Sequence, residues 1–145
     1  MTRVHLMSFA AAALVVLGAV WGAGMAMAEV VAVVSARSPA TTMTTNQIVD
    51  IFLGRASRFP DGRPAAPIDQ IEGSAAREEF YRTYAGKSPA QLNAHWAKIV
   101  FTGRGHPPVA VANGLEVKKH VVVNPGAIGY IERNLVDASV KVIVP

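Results

Sequence analysis

The sequence predicts an α/β domain whose mostly parallel sheet is covered by helices. Three observations carry that expectation. Short continuous apolar runs rich in valine and isoleucine alternate along the chain with segments of helical apolar spacing. Several of the helical segments open on a capping signature. Past an apolar leader, the remainder of the 145-residue chain is enough for one domain and too little for two. Strands interleaved with helices pack as helices on a sheet.

Residues 1–28 read as a signal peptide. Arg3 supplies the positive start, residues 6–28 carry no charged side chain, and Ala26-Met27-Ala28 sets small residues at the −3 and −1 positions before Glu29. The alternative is an uncleaved anchor. Gly18, Gly22 and Gly24 weaken such a helix, and no basic cluster follows it. The expectation is an exported domain over residues 29–145, periplasmic or secreted. The leader also inflates the apolar share of 51%, so the domain itself is less apolar than the whole chain.

The first strand is expected at residues 29–34, Glu-Val-Val-Ala-Val-Val, a β-branched run suited to a buried position. A loop with Pro39 follows. Thr44 and Gln47 then have capping-box spacing, and Ile48, Ile51 and Phe52 form one apolar face ending near Gly54. Residues 55–67 read as a loop around the turn Phe59-Pro60-Asp61-Gly62. Residues 66–69 form a short strand. Ser74 caps the next helix, with Ala76, Phe80 and Tyr84 on one face and Gly86 at its end. Ser88-Pro89-Ala90-Gln91 is the sharpest local signal: cap, proline at the first helical position, glutamine at the third. Leu92, Trp96, Ile99 and Val100 line that helix. Two glycines and two prolines break the chain over residues 101–108. Asn113 caps a helix carrying Val117 and Val121, Asn124-Pro125-Gly126 stops it, and residues 127–131 and 140–144 are the last two strands.

Composition narrows the chemistry. With no cysteine there is no disulfide scaffold, thiol nucleophile, haem attachment or thiolate zinc site. His95, His106 and His120 lack metal-ligand spacing, so no metal is expected. Ser74 lacks a Gly-x-Ser-x-Gly context, and Glu78 and Glu79 point about 100° apart on a helix. No P-loop or dinucleotide fingerprint is present, so neither an enzyme nor a cofactor is expected. The formal net charge of +4 falls by one without Arg3, a mild excess that gives no reason to invoke nucleic acid. Arg55, Arg58 and Arg63 cluster in one loop. They are either a solvated surface or a partner-facing patch. Gly73-Ser74-Ala75-Ala76-Arg77 places small residues, a hydroxyl and a guanidinium at a helix start. That suits plain capping, and it also suits an approaching anion.

Three segments carry a family resemblance. Gln47-Ile48-Val49-Asp50-Ile51-Phe52-Leu53-Gly54-Arg55 resembles the iFlG helix end of phosphate-type solute-binding proteins. Gly73-Ser74-Ala75-Ala76-Arg77-Glu78-Glu79-Phe80 resembles their Ser-Gly-Thr-Arg-x-x-Phe anion loop. Asn124-Pro125-Gly126-Ala127-Ile128-Gly129-Tyr130-Ile131 resembles their GAIGY strand entry. The chain is thus similar to the single-lobe, phosphate ABC transporter substrate-binding protein-like family. The resemblance implies one α/β lobe of the type II periplasmic binding protein fold.

It also implies a function. The expected activity is capture of phosphate or another small oxyanion for an ABC transporter permease. Ser74 and Arg77 match the anion loop, and Ser35 and Ser38 after the first strand are candidate partners, because α/β sheets bind ligands at loops following strand ends. Ala75 and Ala76 replace the loop's glycine and threonine, and Gln70 stands where phosphate binders place an arginine. The missing contacts predict weak phosphate binding. The alternative is an interaction module that docks on a membrane receptor or sensor through Arg55, Arg58 and Arg63.

Overall fold

The structure is a computed structural model describing residues 29–144. The expected signal peptide, residues 1–28, lies outside the described residues. Among the described residues no helix is long and apolar enough to cross a membrane.

The first strand, β1 (Val30–Ser35), is buried along its whole length because it serves two cores. Val30, Ala32 and Val34 face one side of the sheet, and Val31 and Val33 the other. This is the physical reason for its unbroken apolar run. Helix α1 (Thr45–Phe52) opens on a complete capping box, Thr44 Oγ1 accepting from Gln47 N and Gln47 Oε1 from Thr44 N. Strand β2 (Ala66–Gln70) leads into α2 (Ala75–Ala85), capped by Ser74 and closed by Gly86 at φ +62°. Helix α3 (Pro89–Phe101) has the expected Ser88/Gln91 capping box. Strand β3 (Val109–Val111), helix α4 (Gly114–Val123) and strand β4 (Ala127–Glu132) follow. A 3-10 turn at Arg133–Leu135 precedes β5 (Val140–Val142).

The five strands form one sheet in the order β3-β2-β4-β1-β5. Strand β2 is parallel to both β3 and β4, while β1 is antiparallel to both β4 and β5. Four strands therefore share one direction and β1 alone is reversed. Helices α1, α2 and α3 cover one face, where Phe52, Phe80, Tyr81, Trp96 and Tyr130 are buried. Helix α4 covers the other, burying Val117 and Val121 against β1 and β4. Here Gly129 is required: a Cβ at this position would overlap Val117 Cγ1.

Four local expectations change. Strand β3 was not expected; it is three residues long, and its extended form comes from pairing with β2 rather than from a local pattern. Val100 is 53% exposed, so the buried face of α3 narrows to Leu92 and Trp96, with Ile99 partly covered. On α2, Tyr81 is fully buried and Tyr84 only partly. The last strand ends at Val142.

Candidate functional site

The end of β2 and the start of α2 form one polar cluster. Ser74 is the N-cap, and its Oγ accepts from Arg77 N at 3.2 Å. The same hydroxyl donates to Gln70 Oε1 at 2.8 Å. Gln70 is 1% exposed, and its Nε2 donates to Tyr130 O at 3.2 Å. The Arg77 guanidinium donates to Gln70 O at 3.2 Å and lies 5.9 Å from the Tyr81 ring centre. Ser74 and Arg77 are thus brought together, with Gln70 between them.

Beneath this layer sits a buried carboxylate. Asp69 Oδ2 accepts from Tyr81 OH at 2.6 Å, and Asp69 Oδ1 accepts from Tyr130 OH and, at 2.8 Å, from Gln70 N. Three donors on one carboxylate account for its burial, since an unpaired charge there would be costly. Burial pushes both tyrosine hydroxyls far above their ordinary pKa, and the Asp69 carboxylate adds to the shift. Phe80 stacks on Tyr130 with ring centres 4.1 Å apart and fixes the floor of the cluster.

The open side is a narrow cleft bounded by Glu72, Arg77, Glu78, Lys87 and Asn93. Its volume of about 20 Å³ admits a single water. Asn93 Nδ2 donates to Glu72 Oε1 across its mouth at 3.1 Å. Two carboxylates and two cations share the rim, so the local field does not single out an anion.

Ser35 and Ser38 do not join this cluster. Because β1 runs against β4, Val34 pairs with Ile128 near the start of β4. The end of β2 lies beyond Gly129, which pairs with Ile68, toward the other end of the sheet. Ser35 Oγ meets Val122 O at 3.5 Å and accepts from Arg37 N; Ser38 Oγ accepts from Ala40 N at 3.1 Å. Both hydroxyls bond backbone groups away from the cluster.

The arginine loop is largely self-engaged. Arg55 lies 3.6 Å from Asp50, Arg58 donates to Gly62 O at 2.9 Å, and Arg63 pairs with Asp61 while covering Phe59. His95 shares a hydrogen bond with Leu53 O at 2.9 Å, tying α3 to the end of α1. Among the described residues no group of three or more histidine or carboxylate side chains is placed to hold a metal.

Solved structures share this architecture. An ABC-type phosphate transport receptor from Vibrio cholerae superposes with a TM-score of 0.62 at 22% identity, over 80% of this chain and 45% of the receptor. A protein from Clostridium perfringens, described as a phosphate ABC transporter substrate-binding protein and solved with bound phosphate, gives 0.61 at 21%, over 80% and 44%. PstS from Borrelia burgdorferi gives 0.61 at 13%, over 81% and 47%. The lobe has the fold of these substrate-binding proteins. It spans a little under half of each. No protein-family model matches the chain, and no curated protein matches it.

Within this lobe, Asp69, Gln70, Tyr81 and Tyr130 complete a cluster of which the sequence suggested only Ser74 and Arg77. A signal existed in part: Asp69-Gln70 are polar residues at the end of an apolar strand, just before the cap. Their tyrosine partners, 12 and 61 residues away from Asp69, carry no local mark.

Proposed function

We propose that the chain is an exported substrate-binding module of an ABC transporter that holds a small oxyanion such as phosphate weakly at the start of α2. The carrying observation is the meeting of Ser74, Arg77 and a helix N-terminus at the end of β2, within the fold of proteins named for phosphate transport. The first-turn N–H groups of Ala75 and Ala76 have no intrahelical acceptors, and the helix dipole favours an anion there.

Weakness follows from what surrounds them. Ser74 Oγ already donates to Gln70, so an anion must displace that bond. Glu72 and Glu78 stand on the same rim. Charge pairs open to water contribute little. Export would follow cleavage after Ala28, releasing residues 29–145 to the periplasm or the medium, and the partner would be a transporter permease.

Titration calorimetry with phosphate and sulfate at low salt tests the reading. Saturable heats with a Kd on the order of millimolar, abolished in Arg77→Ala, are expected. Flat heats with both anions overturn it. Intact mass of the exported protein tests the processing step, with Glu29 as the expected first residue.

A further inference from the structure

The C-terminal end of α3, away from the anion cluster, carries a second feature. Phe101 closes the helix and is 93% exposed, and Val100 beside it is exposed as well. With so little of Phe101 covered, the two residues form a convex apolar tip rather than the lining of a groove. Single apolar residues are ordinary on protein surfaces. This pair is set apart by what surrounds it.

Two cations frame the tip. Lys98 stands one helical turn before Phe101, at the i, i+3 spacing that makes neighbours on a helix surface. Arg104 is held close by the backbone. Gly103, at φ +68°, donates its N–H to Val100 O at 3.1 Å, and Arg104 N donates to Ile99 O at 3.0 Å, so the chain folds back on the last turn of α3. Lys98 and Arg104 are both exposed, and neither has an ion pair among the described residues. No aspartate or glutamate occurs from Phe80 to Leu115. Glu72 meets α3 at Asn93, roughly 12 Å along the helix axis from Phe101.

The backbone of the tip is closed. Thr102 N and Thr102 Oγ1 both donate to Lys98 O, the latter at 2.8 Å, and the carbonyls of Ile99 and Val100 are taken by Arg104 N and Gly103 N. The last carbonyls of a helix ordinarily look to water. Here they are satisfied within the turn, so the tip can leave water without stranding them.

From the convex apolar tip, its two unpaired cations and its closed backbone, we infer that the end of α3 docks on an anionic lipid surface. Phe101 and Val100 enter the boundary between headgroups and acyl chains, and Lys98 and Arg104 meet lipid phosphates. A fluid interface accepts a protruding ring without a matching cavity. Its negative potential complements a surface whose span of chain holds no carboxylate. The inference is independent of the anion-binding reading.

The chain has no cysteine, so a single reporter can be placed at will. Thr102→Cys beside the tip and His120→Cys on α4, across the sheet, each carry a nitrobenzoxadiazole label on the purified full chain. Residues 1–28 are common to every variant, so the comparison reads the tip. Vesicles of equimolar phosphatidylglycerol and phosphatidylcholine are titrated against vesicles of phosphatidylcholine alone. The label at position 102 should brighten and shift to shorter wavelength, saturating at about tenfold lower lipid on the anionic vesicles, and the preference should weaken as salt rises. The label at position 120 should not respond. Phe101→Ser should remove the shift, and Lys98→Glu combined with Arg104→Glu should abolish the preference for anionic lipid. These three positions are exposed, so the fold is retained. Equal responses at the two labels, equal affinity for the two vesicles, no response at millimolar lipid, or a shift that survives Phe101→Ser would each overturn the inference. So would a lipid-free dimer in sedimentation that Phe101→Ser abolishes, since a second copy would then cover the tip.

Discussion

The hydroxyl of Ser74 donates to Oε1 of Gln70 at 2.8 Å, while the Gln70 side chain itself is closed off from solvent. The hydroxyl proposed to meet an anion is held by the strand that precedes its helix. Ser74→Ala removes both this bond and the cap on Arg77 N, and leaves Gln70 Oε1 buried without its donor. The expected loss is about 1–2 kcal/mol, read from the urea midpoint at constant slope.

Phosphate affinity should respond to Gln70 as well. Gln70→Ala frees the Ser74 hydroxyl, at the cost of an unpaired Tyr130 carbonyl. A tighter phosphate Kd together with a lower unfolding midpoint is expected from calorimetry and melting on one preparation. Unchanged affinity would mean that the Ser74–Gln70 bond does not limit anion binding.

The buried tyrosines give a pH signature. Tyr81 and Tyr130 have folded pKa values raised above 10, chiefly by burial and then by Asp69. The unfolded chain therefore releases these protons first as pH rises. Their stabilisation is complete below pH 10 and declines above it, by about 1.4 kcal/mol per pH unit for each tyrosine well past that point. Tyr81→Phe should make the decline between pH 10 and 11.5 shallower in urea titrations, although it lowers stability at neutral pH by removing a donor to Asp69.

Two substitutions on α3 separate packing from capping. Trp96 is buried against the end of α1, where Gly54 at φ +73° leaves room for its ring. Trp96→Ala should cost about 3–5 kcal/mol. Ser88→Ala removes only an exposed cap and should cost about 1 kcal/mol. Denaturant melts that ranked them in the opposite order would contradict this account of the helix.

Gly129→Ala tests the contact between β4 and α4. The added methyl would overlap Val117 and approach Val121 Cγ2 at 3.2 Å. A loss of roughly 1–3 kcal/mol is expected from thermal or urea unfolding, with partial recovery in the double variant with Val117→Ala.

The parts of the fold that were legible are those set by neighbours in sequence. The Thr44/Gln47 and Ser88/Gln91 boxes, the Ser74 and Asn113 caps and the left-handed Gly86 all form from short-range hydrogen bonds or backbone preference. What escaped was set across the sheet. Nothing near Val109 specifies a strand without β2 beside it. Nothing in the first apolar run states that it is reversed, and that direction is what carries Ser35 and Ser38 away from Ser74. The same holds for Asp69, whose carboxylate makes sense only with Tyr130 overhead.

The reversed strand also sets an order of events. Strand β1 is the first element of the described chain, yet both of its partners, β4 and β5, come from the final stretch of sequence. During vectorial synthesis its valines wait bare while nearly all the rest of the chain emerges. The sheet cannot close until residues 127–142 arrive, and loop closure over such distances is slow. Until then the apolar run of β1 has no strand to pair with on either side.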